Sequence, residues 1–391
     1  MRILIVHSRY LSGPASGENA VVEDEARLLA ANGHRVEVLQ RSPTRTSGTD
    51  LLRTGIGATW ERDAVSRLQG LIREMQPNIV HFHNLFPMIS PAALRVSAKS
   101  RAATVMTLHN YRMMCLPATF LRDGRICEDC LGRSPWPGVV HRCYRGSLPG
   151  SAAVAISLSV HQALRTFDRV TLYLPVSDFV RSKYVQAGFP PERLHVKSNF
   201  AWPVTRREGP GHHFVYVGRI SPEKGLRTLI EAWGKMTAKL VIVGDGPATS
   251  DLRTSAQNVE FTGMLPRARV VELVREARAL LLPSLSYEAQ PRVVLEAYAA
   301  GVPVVGSYIG GIPDLIVEGE TGFLVSPTQP GAWTEAANRL LDDAETSRLG
   351  EGAHRVWLGR FSPERALQAL EDSYRTAISR RDRQGGIHLD D

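Results

Sequence analysis

The sequence has no long hydrophobic run. None of its apolar stretches approaches the roughly 18 residues that a membrane-spanning helix needs, and the opening MRILIV is too short for the apolar core of a secretory signal. Aromatic residues make up only 7% of the 391, and they are not interleaved with the basic residues as in single-stranded nucleic-acid binders. We therefore expect a cytoplasmic globular protein, at most peripheral on the inner face of a membrane, with no nucleic-acid partner.

Acidic residues are scarce in the first half of the chain. Residues 1–200 hold 25 Lys and Arg against 15 Asp and Glu, whereas residues 201–391 hold 22 against 24. One interpretation is an arginine-rich composition without function. The other is a face of the first half that meets an anionic membrane surface or another acidic partner.

A dinucleotide-binding fingerprint is also missing. The glycines of SGPASG have the wrong spacing, GDGPAT lacks the third glycine, and the second strand, VEVLQR, ends in Gln40 and Arg41 instead of an acid. These departures disfavour a nicotinamide-dependent dehydrogenase.

Two series of alternating strands and helices are present. RILIVHSRY, an amphipathic helix up to Gly33 and VEVLQR form a βαβ unit, and the pattern restarts at HFVYVGRI. Two series predict two doubly wound Rossmann-like α/β domains facing a central cleft. We place the linker at 198–213, which is rich in Pro, Gly and charge.

The predicted domains are a first Rossmann-like domain, a second Rossmann-like domain and a terminal segment. They span residues 1–200, 201–365 and 366–391, and the last consists of a helix and a disordered tail from about residue 380. A cysteine-containing insert interrupts the first domain at about 112–147.

A candidate anion site follows the strand FVYV. Ser221 and Pro222 suit the start of a helix, whose free N–H groups attract anions, and Arg219 and Lys224 add two cations. Arg grips a diphosphate with its planar fork, while Lys acts as a point charge. The alternative is a surface loop in which Lys224 pairs with an acid.

Two glutamates flank a predicted helix start in YEAQPRVVLEA. Pro291 favours a helix that begins after Glu288, which places Glu296 on its second turn. A carboxylate accepts hydrogen bonds from a pair of sugar hydroxyls, so Glu288 suits a transferred sugar and Glu296 a ribose. The opening amides of Arg292, Val293 and Val294 are candidates for phosphate contacts.

These segments together resemble the family-4 glycosyltransferases, which are retaining enzymes of the GT-B fold that use nucleotide-diphosphate sugars. GRISPEKG, VGDGP, FTGML, LLPSLSYEAQPRVVLEAYAAGVPVVGS and GGIPDLIVEGETGFLV occur in this order within about 110 residues. The resemblance implies that Arg219 and Lys224 bind the diphosphate, that Glu288 contacts the donor sugar and that Glu296 contacts the ribose. It also implies that Gly17 lies beside the phosphates and that His109 reaches the sugar near the reaction centre. The first domain is then the acceptor-side domain, and the second is the nucleotide-sugar donor domain.

The chain departs from the family after Glu288. Ala289, Gln290, Pro291 and Arg292 stand where the family often has Gly-Phe-Gly, and Pro291 has no N–H to donate.

Cations and helix N-termini would stabilise the leaving diphosphate, so no catalytic metal is expected, and Glu288 is not assigned as a nucleophile.

The implied function is transfer of a sugar from a nucleotide-diphosphate sugar to a hydroxyl of a glycan or lipid-linked acceptor. We expect a role in cell-surface polysaccharide or glycolipid biosynthesis. A sugar-nucleotide epimerase of the same fold and a non-catalytic nucleotide-sugar binding protein are the alternatives.

Polar residues end the strand VHFHN. We expect only one of His81 and His83 to face the cleft, because side chains alternate across a strand. His83 and Asn84 are our candidates for the acceptor side, and the alternative is ordinary polar residues at a strand end.

The four cysteines lie within 29 residues. Cys115, Cys127, Cys130 and Cys143 include a single Cys-x-x-Cys pair, and stable disulfides are rare in cytosolic proteins. This pattern predicts a structural zinc, with disulfides, an iron–sulfur cluster and unpaired thiols as alternatives.

Overall fold

The structure, a computed structural model, describes residues 1–9, 17–42, 59–253 and 258–386. The chain divides into two compact units. The first unit comprises Met1–Phe120, Glu128–Lys197 and Leu367–Asp391, and the second comprises Leu121–Cys127 and Ser198–Ala366.

The first unit is built on a parallel sheet. The strands of this half of the chain are β1 (Arg2–Ser8), β2 (Arg35–Arg41), β3 (Ile79–Phe82), β4 (Ala103–Leu108), β5 (Leu121–Arg122), β6 (Arg125–Ile126) and β7 (Leu172–Pro175). The sheet of the first unit runs in the order β2-β1-β3-β4-β7. The strands β5 and β6 form a separate antiparallel hairpin, which is counted with the second unit. Residues 3–6 of β1 are fully buried, as expected of a strand in a parallel sheet covered on both faces.

Helices connect these strands. They are α1 (Gly17–Ala31), α2 (Arg62–Met75), α3 (Ala92–Ala98), α4 (Trp136–Val140), α5 (Leu148–Ala163) and α6 (Asp178–Gln186). The Ser147 hydroxyl caps α5 by accepting from the amide of Gly150 (3.1 Å), and Ser177 caps α6 in the same way through Val180.

The second unit has a six-stranded parallel sheet. Its strands are β8 (His213–Val217), β9 (Leu240–Val243), β10 (Val259–Gly263), β11 (Ala277–Leu282), β12 (Val304–Ser307) and β13 (Gly322–Val325), in the order β10-β9-β8-β11-β12-β13. The helices after β8 are α7 (Leu226–Trp233), α8 (Thr249–Leu252), α9 (Arg267–Arg275), α10 (Arg292–Ala299), α11 (Pro330–Arg339), α12 (Asp343–Val356) and α13 (Pro363–Gly386). Two doubly wound units therefore confirm the predicted fold class.

The last helix corrects the predicted terminal segment. From Leu367 onward, α13 belongs to the first unit, because Leu370, Tyr374 and Ala377 pack into the same core as Ile3 of β1. The helix continues to Gly386, so the tail predicted from residue 380 is wrong up to that point, and residues 387–391 lie outside the described part. The boundary between the units falls after Lys197 instead of residue 200.

Candidate functional site

The segment after β8 forms a tight turn in the second unit. Ser221 and Pro222 open only a short 3₁₀ helix, Pro222–Lys224, so the long helix expected there begins later, at Leu226. Gly225 joins the two with φ +69°, and a Cβ at this glycine would lie 1.8 Å from the carbonyl oxygen of Pro283. The turn therefore approaches the loop after β11 more closely than a side chain would allow.

Lys224 and Glu288 form an ion pair at this contact. The Lys224 Nζ lies 2.6 Å from Glu288 Oε1, and the Ser284 hydroxyl donates to the same oxygen at 2.7 Å. Only 27% of the Lys224 side chain and 15% of the Glu288 side chain are exposed. The structure thus brings together two residues that the sequence predicts to bind the donor, 64 positions apart.

This pairing keeps both groups charged. Burial alone would raise the pKa of Glu288, but the Lys224 charge and the hydrogen bonds from Lys224 and Ser284 outweigh it, so the pKa of Glu288 is lowered. Burial would lower the pKa of Lys224, and the Glu288 carboxylate reverses that effect and raises it. The pair is therefore an ammonium and a carboxylate near neutral pH.

Backbone contacts hold the Glu288 loop in place. The amide of Leu285 donates to the carbonyl of Glu223 (2.8 Å), and the amide of Gly311 donates to the carbonyl of Glu288 (2.8 Å). A Cβ on Gly310 would come within 2.8 Å of the Glu288 nitrogen. Gly310 and Gly311, the GG of GGIPD, therefore pack directly against the loop that carries Glu288.

Arg219 lies at the opening of the same turn. Its side chain is exposed, while its carbonyl accepts a hydrogen bond from the Tyr216 hydroxyl (2.8 Å). The like charge of Arg219 opposes the charged form of Lys224, which is how two neighbouring cations affect each other. An anion bound at this turn would relieve that repulsion.

Glu296 lies on the second turn of α10, as predicted. Its carboxylate pairs with Arg267 (3.2 Å) and with Arg292 one turn earlier (3.5 Å). The carboxylate is therefore held between two guanidinium groups, and 24% of its side chain is exposed. Arg292, which stands where the family often has glycine, supports Glu296 in this arrangement.

The start of α10 offers fewer amides than predicted. The amide of Val294 already donates to the carbonyl of Pro291 (3.2 Å), so we correct the predicted phosphate contact and retain only the amides of Arg292 and Val293. Gln290 has a structural role, since its side-chain oxygen accepts from the amide of Asn199 (2.6 Å) while 8% of the residue is exposed.

In the first unit, the predicted residues lie at the carboxyl ends of the strands. Gly17 is the exposed first residue of α1, with open space where a side chain would project. His109 follows β4 and is partly exposed. Asn84 is buried, and its side-chain amide donates to the carbonyls of Ser8 and Phe86 and accepts from the Phe86 amide. These bonds stabilise the loop after β3, and they use both N–H groups of the side chain.

The prediction for the two strand histidines is wrong. His81 and His83 are two residues apart, so they lie on the same side of the strand, with ring centroids 4.3 Å apart, and both are buried. His83 Nδ1 and His109 Nε2 lie 2.9 Å apart and share a hydrogen bond, so His83 contacts another side chain at the position where we expected an acceptor.

No disulfide joins any of the four cysteines, all of which lie in the described residues. Cys115 is buried, and burial raises the pKa of its thiol to about 11 although backbone N–H groups favour the thiolate. Among the described residues, no group of three potential metal ligands within 4.8 Å of one another includes a cysteine. A structural zinc held by the four cysteines stays a prediction, which metal analysis of protein purified without a chelator tests.

Comparison with known proteins assigns the family. A family model described as glycosyl transferases group 1 matches residues 211–343, and one described as a glycosyl transferase 4-like domain matches residues 16–199. The chain belongs to the family-4 glycosyltransferases. The first match contains the Lys224–Glu288 pair, and the second contains His83 and His109.

Individual relatives agree with this assignment. The α-D-kanosaminyltransferase of Streptomyces kanamyceticus is 34% identical over 173 residues, covering 41% of this chain and 45% of the relative. The D-inositol 3-phosphate glycosyltransferase of Acidothermus cellulolyticus is 26% identical over 94% of this chain and 87% of its own length. The chain spans about half the length of several curated relatives that it matches, including the kanosaminyltransferase.

A solved structure supports the fold. Anabaena HepE, crystallised in complex with UDP, superposes with a TM-score of 0.64 over 95% of this chain and 99% of its own, at 20% identity. The predicted GT-B fold of this family is thus confirmed.

Some residues of the site could not be recognised from their motifs. Ser284 holds Glu288, and Gly310 lets the backbone approach it, yet neither carries a charge that marks it in a sequence. The SLSYE segment and the GG pair were the available signals, but only as parts of a family pattern.

Proposed function

We propose that the chain is a glycosyltransferase that moves a sugar from a nucleotide-diphosphate sugar to a hydroxyl of a glycan or lipid-linked acceptor. The observation that carries the proposal is the Lys224–Glu288 pair, held by Ser284 beside the exposed cation Arg219. The two cations, Arg219 and Lys224, suit a diphosphate, and the Glu288 carboxylate suits sugar hydroxyls.

Charge explains how this arrangement would promote transfer. As the bond between sugar and diphosphate breaks, negative charge grows on the leaving group, and Arg219, Lys224 and the first amides of α10 would stabilise it. Glu288 already accepts from Lys224 and Ser284, which supports a role in orienting the sugar and not in attacking it. As the family resemblance implies, we propose that the acceptor hydroxyl attacks the anomeric carbon on the face that the diphosphate leaves, so that transfer occurs with retention and needs no protein nucleophile.

A panel of UDP-, GDP- and ADP-sugars tests the donor assignment. A donor supplied at about 100 times its dissociation constant should stabilise the protein by about 2.7 kcal/mol, which a thermal-shift measurement detects. The Lys224→Met variant should lose that shift. If no nucleotide sugar shifts the unfolding of the wild-type protein, the proposed donor class is wrong.

We also propose that the first unit binds an anionic membrane surface. The α4–α5 surface, which we define as the exposed side of α4 and α5, carries large apolar side chains with exposed arginines near them in sequence. The apolar members are Trp136, Val140, Leu148, Ile156 and Val160, and the arginines are Arg133, Arg142, Arg145 and Arg165. Exposed apolar side chains with arginines near them in sequence suit the interface of a bilayer that contains acidic lipids.

Vesicle sedimentation tests this surface. The Ile156→Glu variant should bind vesicles containing phosphatidylglycerol about tenfold more weakly, and added salt should weaken binding of the wild type. Met264→Glu is the control, because Met264 is a large exposed apolar residue of the second unit. Equal vesicle binding by both variants would refute the assignment. It would also be refuted if the wild type associated with itself at high concentration and Ile156→Glu abolished this, because the surface would then bind a second copy of the chain. In the described residues, no helix is both long and apolar enough to cross a bilayer.

A further inference from the structure

A buried group of polar side chains lies beneath His109 in the first unit. We call it the imidazole array, and it consists of Glu25, His81, His83, His109 and Lys197. Apart from the partly exposed His109, every member is at most 2% exposed. Charged and polar groups are costly to bury unless they bond to one another, so the contacts within the array need an explanation.

The array connects a buried ion pair to His109. Lys197 Nζ bonds to Glu25 Oε1, and the other carboxylate oxygen, Oε2, lies 3.6 Å from His83 Nε2. His83 Nδ1 in turn lies 2.9 Å from His109 Nε2. His83 is therefore placed between a carboxylate and the residue to which the family resemblance assigns a contact with the donor sugar.

Two buried atoms of this chain of contacts have no hydrogen-bond partner. They are Glu25 Oε2 and His83 Nε2, which face each other. A carboxylate paired with an ammonium can only accept, so a hydrogen bond between these two atoms requires the proton of His83 to be on Nε2. A small closure of the 3.6 Å gap would then satisfy both atoms.

The proton positions follow from this tautomer. Burial lowers the pKa of His83 well below its usual value, and the neighbouring histidines and Lys197 lower it further, so His83 is neutral and carries one ring proton. With that proton on Nε2, His83 Nδ1 must accept from His109 Nε2–H. A neutral His109 then has Nδ1 as its hydrogen-bond acceptor.

His81 explains why this cluster is a hydrogen-bonded network and not a metal centre. The ligand atoms of Glu25, His81 and His83 lie within 4.8 Å of one another. However, His81 bonds through Nδ1 to the Tyr374 hydroxyl and through Nε2 to the Thr107 hydroxyl, each at 2.8 Å. Lys197 places an ammonium on Glu25, which disfavours a cation at the same carboxylate.

We propose that Glu25 and His83 are positioning residues that hold His109 in one tautomer. In this tautomer Nε2 carries the proton, and Nδ1 is the acceptor for a substrate hydroxyl. This inference rests on the proposed function for the identity of the hydroxyl. The tautomer itself does not depend on that function, because it follows from contacts within the first unit.

Nitrogen-15 NMR of histidine-labelled protein tests the tautomer directly. We expect His109, assigned by its loss in His109→Gln, to show a protonated Nε2 and a bare Nδ1. In His83→Phe, which removes the acceptor, this signal should change to a mixture of tautomers. A His109 protonated on Nδ1 in the wild type, or a signal unchanged in His83→Phe, would overturn the inference.

Kinetics separate positioning from mere stability. His83→Phe should lower kcat by about 10- to 100-fold with little change in the KM for the donor. His83→Gln should recover most of the rate, because its amide oxygen can accept from His109 while its nitrogen donates to Glu25. His161→Gln is the matched control, since His161 is also buried in the first unit. Its two ring nitrogens bond to the Thr166 hydroxyl and the Thr59 carbonyl, so neither bond involves a residue of the imidazole array.

The two readouts keep the inference and the proposed function distinct. A wild-type protein that transfers no sugar but shows the expected tautomer contradicts the proposed function and supports the positioning of His109. Active protein in which His83→Phe and His161→Gln have equal kcat values contradicts the positioning role.

Discussion

Replacing Lys224 with methionine is expected to lower the rate of sugar transfer by about 100- to 1,000-fold, the usual effect of removing one preorganised donor to a developing anion. Lys224 is mostly shielded from water and lies in a turn that Gly225 holds against the Glu288 loop. Its charge is therefore fixed in place before the diphosphate leaves. Initial rates with a nucleotide sugar that stabilises the protein provide the measurement.

Lys239→Met is the control for this variant. Lys239 forms a 2.7 Å ion pair with Glu260 in the same unit, but more than half of each side chain is exposed, so the pair contributes little to stability or to any site. We expect nearly unchanged rates. A Lys224→Met protein that folds and keeps more than about a tenth of the wild-type rate would contradict the role assigned to this ammonium.

Replacing Lys197 with methionine should lower the free energy of unfolding by about 3–5 kcal/mol. The Glu25 and Lys197 side chains are both fully buried, so the variant leaves a carboxylate in the core without its counter-charge. Urea denaturation gives the size of the loss, and hydrogen exchange should place it in the first unit.

The double variant Glu25→Gln, Lys197→Met distinguishes loss of the pair from loss of packing. Removing both charges of a buried pair is often close to neutral, so the double variant should be more stable than Lys197→Met alone. Lys183→Met is the matched control, because the Lys183–Glu128 pair of the same unit is partly exposed and should contribute less. Additive losses in the double variant would show that the two charges do not stabilise each other.

Local sequence was sufficient for most of the fold. The apolar runs at β1 and β8 and the periodic helices after them are strong signals, because a strand of a parallel sheet is buried on both faces. The two-residue strands β5 and β6 gave no such signal, being too short to show any period. The helix α13 was recognised, but its polar composition did not reveal that it packs in the first unit.

Some residues of the candidate site could likewise be predicted from local sequence, and others could not. Lys224, Glu288 and Glu296 could be predicted because they stand in motifs with a chemical meaning. The Glu25–Lys197 pair could not, since 172 positions separate the two residues and neither lies in a motif. The same limit applied to His83, whose partner His109 follows a different strand. Contacts between distant segments depend on packing, which periodicity does not describe.

The position of α13 has a consequence for synthesis on the ribosome. Ile3 shares its core with Leu370, Tyr374 and Ala377, although residues 198–366 of the second unit lie between them in the chain. The first unit therefore cannot finish folding until the second has been synthesised, and it keeps an apolar surface uncovered during that time. The unit whose synthesis starts earlier is completed after the other has been made.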